Sequence, residues 1–223
     1  MNYVIIQTIF NNVQSNMLPD NWNNIEFLIC DENFIDESLS KLTKLKGLEC
    51  GKNRNLTDKS LSKLTKLECL HCGYNENFTD ESLSKLTKLK YLDCGLNENF
   101  TDVSLSKLTK LEYLDRGWNR NFIDVSLSKL TKLEYLDCNK NFTNKSLSKL
   151  TNLEYLVCNK NFTDKSLSKL TKLKHLDCYY NKNFTDASLS KLTKLEYLDC
   201  NKNFTNKSLS KLTNLEYLVC KFS

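Results

Sequence analysis

Ten cysteines and two histidines are the side chains in this 223-residue sequence best suited to hold a metal or supply a nucleophile. Nine of the cysteines, Cys30, Cys50, Cys72, Cys94, Cys138, Cys158, Cys178, Cys200 and Cys220, recur in one regular column that is broken only where Arg116 stands. A thiol on each of many strands cannot build a zinc site. Neighbouring strands lie about 4.8 Å apart along a line, whereas zinc gathers four ligands around one point at about 2.3 Å. The column therefore reads as core, where free cysteine behaves as a small hydrophobe. The tenth cysteine gives Cys69-Leu70-His71-Cys72, but residues three apart on a strand face opposite sides, so Cys69 and Cys72 cannot chelate together. Cys69 and His71 share a face, and two exposed ligands make a poor transition-metal site. Neither His71 nor His175 has a nucleophile fixed beside it, and no glycine-rich phosphate loop occurs. The chemistry expected is non-enzymatic, with no metal and no cofactor.

The spacing of these residues comes from a repeat. Units begin at Ile25, Leu45, Leu67, Leu89, Leu111, Leu133, Leu153, Leu173, Leu195 and Leu215, so that successive starts differ by 20 or 22 residues. In the unit from Leu89 to Lys110, strand alternation puts Leu92 and Cys94 on one face and Tyr91 and Asp93 on the other. An asparagine follows at the turn, at Asn33, Asn53, Asn75, Asn97, Asn119, Asn141, Asn161, Asn181 and Asn203, and stacking would set these amides in a ladder. Phe100 then closes the core edge. Thr101-Asp102 offers an N-cap to a short helix expected over Val103 to Leu108, whose Leu105 and Leu108 share a face. The shorter units lose two residues around the turn, as in Cys138 to Thr143, and need a tighter one. The segment from Leu133 to Cys158 is repeated without change from Leu195 to Cys220, the mark of an internal duplication.

Residues 1–24 do not follow the repeat. Phe10, Val13, Met17, Leu18 and Trp22 are apolar at helical spacing and read as an N-terminal cap over the first core layer. The organisation expected is thus a cap over 1–24 and an array of about ten units over 25–223, the last truncated. An array ending in mid-unit at Ser223 without a polar capping repeat predicts end-to-end self-association or a frayed last unit.

The pattern LxxLxCxxN resembles the strand-and-asparagine signature of leucine-rich-repeat proteins, over about nine tenths of the chain. That resemblance implies an α/β solenoid, a horseshoe with a parallel concave sheet and short helical or irregular convex segments. The continuation NxxFTDxSLxxL, at Asn97 to Leu108, is similar to half of the cysteine-containing repeats of F-box adaptor proteins. It implies, as an alternative function, a substrate-recruiting subunit of a ubiquitin-ligase complex. Near-identical units rich in Asn and Lys resemble the repeat proteins of amoeba-infecting giant viruses.

The outer strand face carries two rows. Tyr91, Tyr113, Tyr135, Tyr155, His175 and Tyr197 form one, flanked by Phe27, Gly47, Cys69 and Tyr217. Asp93, Asp115, Asp137, Asp177 and Asp199 form the other, interrupted by Val157. Tyrosine is enriched at interface hot spots, and a row of carboxylates favours basic partners. With Trp118 added, these residues make the expected binding surface for a protein partner. Lysines such as Lys107 and Lys129 fall on the return segments and Lys110 and Lys132 just before the next strand, so the net charge of +5 should sit on the convex side and one edge. Lysine at regular intervals without arginine clusters marks a solvated face, which makes nucleic acid an unlikely partner, and polyanion binding at low salt is the further alternative.

No apolar run is long enough to span a bilayer, and Val4 to Phe10 makes a poor signal peptide, so the location expected is the cytoplasm, host cytoplasm if the chain is viral. There the Asn-Phe-Thr sequons at Asn77, Asn99, Asn141, Asn161, Asn183 and Asn203 carry no glycan and the cysteines stay reduced. Arg116 is the anomaly: a guanidinium in a column of Leu and Cys reads as a misfit that snorkels out, stacking on Trp118, or, in the alternative, as the mark of a specialised unit in which Trp118 and Arg120 beside Asp115 form a distinct patch. On the first reading Arg116→Cys stabilises the chain by about 1 kcal/mol.

Overall fold

The computed structural model describes residues 22, 24–117, 119–138, 142–158 and 160–220. Among these, ten strands from β1 (Phe27–Ile29) to β10 (Tyr217–Cys220) alternate with nine four-residue helices from α1 (Asp36–Leu39) to α9 (Asn206–Leu209). All ten strands form one parallel sheet in sequence order. Register never slips: Tyr91, Leu92 and Asp93 of β4 (Tyr91–Asp93) lie opposite Tyr113, Leu114 and Asp115 of β5 (Tyr113–Asp115). Equivalent residues therefore stack into columns, and sequence rows become rows in space.

The core is the space between sheet and helices. Leu89, Leu92, Cys94, Phe100, Leu105 and Leu108 are all fully buried, as are their counterparts in neighbouring units. Trp22 packs against the first layer, whereas Phe10, Val13, Met17 and Leu18 lie outside the described residues. At the other end Leu218 of β10 is 48% exposed, in contrast to the fully buried Leu198 one unit earlier.

The helix is shorter than the sequence suggests. In place of Val103 to Leu108 it spans Asp102–Leu105 (α4), started by Thr101, whose Oγ1 accepts from the Val103 amide at 3.2 Å. The chain then tightens: Lys107 N donates to Ser104 O and Leu108 N to Leu105 O, both at 3.0 Å. Bonds to the third residue back bring Leu105 and Leu108 onto one side without another α-turn.

Two polar ladders tie the units. In the first, Asn97 Nδ2 donates to Asn75 O (2.6 Å) and Phe78 O (3.0 Å) of the preceding unit, while its Oδ1 accepts from the Asn99 amide (2.8 Å). Asn53, Asn75, Asn119 and Asn181 hold the same place. In the ninth unit, one of the shorter ones, the sequence assignment is two residues off. Asn201, directly after Cys200, makes the ladder bonds to Tyr179 O and Asn181 O, and Asn203 gives its amide N–H to Asn201 Oδ1. In the first unit Asp31 takes that place and accepts from Asn33 N. The deletion thus precedes the ladder residue, and counting back from the phenylalanine finds it. Asn141 lies outside the described residues. The residue before the phenylalanine makes a second rung in several units: Asn77, Asn99, Asn183 and Asn203 donate Nδ2 to a carbonyl of the preceding unit, so at these four the nitrogen a glycan would need is engaged.

The second ladder, on the helical side, joins Asp of one unit to Thr and Ser of the next. Asp36 accepts from Thr57 N, Thr57 Oγ1 and Ser60 Oγ, and Asp186 likewise from Thr205 and Ser208. Where Asn144 replaces Asp, its Oδ1 accepts from Thr163 N and Ser166 Oγ while its Nδ2 donates to Thr163 Oγ1 at 2.9 Å. Ile123 replaces the threonine before α5 (Asp124–Leu127), leaving that helix without a side-chain cap and Asp102 Oδ2 buried without a partner.

Arg116 does not snorkel. It is fully buried, its guanidinium lies 4.2 Å over the Phe142 ring, and Nη1 donates to Asn119 O at 2.7 Å. That carbonyl belongs to the set which, in the preceding units, takes the next asparagine amide. Arg116 thus serves the ladder where four long units give way to two short ones. The expectation for Arg116→Cys reverses: removing the donor and the ring contact should cost about 1–3 kcal/mol in urea unfolding. A more stable Arg116→Cys chain would contradict this assignment.

Candidate functional site

Parallel in-register strands bring the aromatic row into contact. Strand spacing exceeds the thickness of a ring, so the rings lean to close the gap. Centroids are 4.0 Å apart for Tyr91–Tyr113 and Tyr113–Tyr135, 4.4 Å for Tyr135–Tyr155, and 4.0 Å for Tyr155–His175 and His175–Tyr197. Interplanar angles stay at or below 20°. Six rings therefore form one continuous stack on the open face of the sheet. The stack loosens at 6.5 Å between Tyr197 and Tyr217 and tilts at the other end, where Tyr91 meets His71 at 4.6 Å. Burial against neighbouring rings pushes the Tyr91 hydroxyl up to about 12, so it stays protonated.

The acidic row runs beside the stack. Asp93, Asp115 and Asp177 each fold one carboxylate oxygen back onto the amide two residues on, those of Gly95 (3.2 Å), Gly117 (2.9 Å) and Tyr179 (3.3 Å). The other oxygen of Asp93 faces His71 Nδ1 at 3.2 Å, a hydrogen bond that holds the Asp93 carboxyl low. Asp115 is raised, first by burial and then by Asp93. Asp137 rises furthest, to about 6, through burial and the charge on Asp115, with Arg116 opposing. Asp199 continues the row next to Asp177 across β9 (Tyr197–Cys200). The structure therefore brings the expected Tyr, His and Asp residues onto one surface. Trp118 lies outside the described residues.

Sequence reasoning missed a groove beyond the acidic row. Gly51, Gly73, Gly95 and Gly117 follow the column cysteine, or Arg116, in four successive units. With Glu49, His71, Asp93, Asp115, Tyr74 and Leu96 they line a groove of about 600 Å³. The signal was the column of glycines in four of the five long units, the fifth having Tyr179, and its absence from the short ones.

Burial, with Glu49 nearby, pushes the Cys69 thiol up to about 11, and burial raises Cys72 and Cys178 of the column as well, so these thiols are held in the protonated, less nucleophilic form. Among the described residues no group of three His, Cys, Asp or Glu side chains is placed to share an ion. The edge that precedes the strands is of mixed charge and not uniformly basic, because Glu26, Glu68 and Glu154 pair with Lys46, Lys90 and Lys174 at 2.7–2.8 Å. No helix among the described residues is long and apolar enough to cross a membrane.

No family model and no curated protein sequence matches this chain. Solved structures do. An internalin of Listeria monocytogenes is 28% identical at a TM-score of 0.69, covering 88% of this chain and 61% of its own. A leucine-rich-repeat protein of Leptospira interrogans is 20% identical at 0.66, covering 92% and 59%. Drosophila Toll, in a complex with Spätzle, is 17% identical at 0.70, covering 94% and 31%. The fold is a leucine-rich-repeat solenoid. This solenoid spans less than two thirds of each of those chains.

The open face of the solenoid has a pH signature. A carboxyl raised in the folded state binds a proton on folding, so stability from this source falls as pH rises from about 4 through 6. Asp137→Asn should stabilise the chain at pH 7.5 by on the order of 0.5–1 kcal/mol, after allowance for solvent screening, and by little at pH 4. Thermal melts across this range check it; a gain that does not vary with pH would contradict the cause given for the shift.

Proposed function

We propose that the chain is a non-enzymatic interaction module whose concave sheet face, the Tyr/His stack with its acidic row, binds a protein partner. The observation that carries this reading is the six-ring stack. Its side chains are held on the open face before any partner arrives, and rigid aromatic surface gives contact area at little entropic loss. Of the related solenoids, Toll was solved in complex with a protein, Spätzle, which supports the reading by analogy of fold. The carboxylate row favours a partner with a basic contact surface.

A double variant, Tyr113→Ala/Tyr135→Ala, tests it. Affinity capture with the purified chain, in the cell type that makes it, should return a partner whose affinity the variant lowers by at least about tenfold. Lys107→Glu/Lys129→Glu, on the helical side, should leave that partner bound. Equal binding to wild type and the tyrosine variant would overturn the proposal. A polyanion on the lysines would instead be lost steeply with added salt and from the lysine variant alone.

A further inference from the structure

Glycine in a repeat usually answers a backbone need, and Gly117 does: its φ is +46° and a Cβ there would come within 2.7 Å of Gly95 O. Gly51, Gly73 and Gly95 answer none. A Cβ on any of them would stand at least 3.5 Å from its nearest neighbour, ordinary contact, and their φ values are not in the left-handed region. The eighth unit supplies an internal control. It has Tyr179 at the same place, and keeps both the Tyr179 N bond to Asp177 Oδ1 and the Asn181 N bond to Cys178 O (2.9 Å). The fold therefore accepts a large side chain where the early units have none.

What the missing side chains leave is the groove of about 600 Å³. On one side stand Glu49, His71, Asp93 and Asp115, on the other Tyr74 and Leu96, which are 60% and 39% exposed. Lys52 is the one basic side chain among the lining residues apart from His71. From the second unit to the fifth the groove runs about 14 Å, the reach of four or five extended residues. Successive side chains of an extended segment point to opposite walls, so one wall would meet charge and the other apolar surface. We propose that the groove is a docking channel for an extended segment of a partner protein that sets an arginine or lysine against Glu49, Asp93 and Asp115 and an apolar side chain against Tyr74 and Leu96. This deepens the protein-binding reading and rests on it, adding the seat and the chemistry of the segment.

The probe is a fluorescein-labelled nonapeptide with leucine and arginine alternating over its five central residues between serines, together with its citrulline counterpart, titrated by anisotropy against the whole chain. The arginine peptide should bind at least about tenfold tighter than the citrulline peptide, since only the cation complements the acidic wall. Gly73→Tyr/Gly95→Tyr copies the side chain of Tyr179 into the groove; it should keep the melting temperature and weaken the arginine peptide by at least about tenfold. Should that variant fold poorly, Asp93→Asn/Asp115→Asn keeps the turn acceptors and should produce the same loss. Equal binding of the two peptides overturns the inference, as does unchanged affinity in a folded variant. A natural partner that survives filling the groove but is lost with Tyr113→Ala/Tyr135→Ala overturns it too, while leaving the concave-face reading intact.

Discussion

A unit of 20 or 22 residues has no interior of its own, so its leucines leave water only by lying against those of the next unit. That one requirement brings the backbones of successive turns together, where their polar groups are cut off from solvent. A buried carbonyl without a donor costs about 1–3 kcal/mol, and an array would multiply the penalty with every unit added. The asparagine amides answer it. Asn53, Asn75, Asn97, Asn119 and Asn201 each give two N–H groups to carbonyls of the preceding unit and accept from their own turns, as Asn97 does between Asn75 O, Phe78 O and Asn99 N. Apolar burial sets the spacing, and the ladder makes that spacing tolerable.

The open face inherits this regularity. Rings stack at 4.0–4.4 Å because strands pair without slippage, and strands pair without slippage because both ladders advance one rung per unit. The same regularity puts carboxylates side by side on a partly buried face, where burial first and the charge of Asp115 second displace the titration of Asp137. Exceptions sit where unit length or composition changes. Arg116 serves a ladder carbonyl where four long units give way to two short ones, and Ile123 gives up a cap and strands Asp102 Oδ2 on the helical side.

Much of this was legible in the residues. Period-two alternation at Tyr91, Leu92, Asp93 and Cys94 fixed which side chains face the core, and equal spacing fixed which ones share a row. What escaped depended on three-dimensional closure. The ladder residue of a short unit is Asn201 and not Asn203, because the deletion falls between Cys200 and the turn and every NxN segment offers two candidates. The helix ends at Leu105 because the return path is too short for another turn. Asp to Thr and Ser pairing across units was hidden in a sequence that read as a local cap. Arg116 looked like a misfit because its acceptor, Asn119 O, is backbone. The groove was hidden for a like reason, being made of what Gly73 and Gly95 lack.

The most direct measurement of the account is the unfolding free energy of Asn97→Ala, in mid-array where Asn75 and Asn119 flank it. Removing that amide orphans the carbonyls of Asn75 and Phe78 and the turn amide of Asn99 at once. The account predicts a loss on the order of 2–4 kcal/mol by urea denaturation, far more than an average surface substitution. A loss within about 0.5 kcal/mol of zero would show that the units hold together by apolar burial alone, and would contradict the central role given to the ladder.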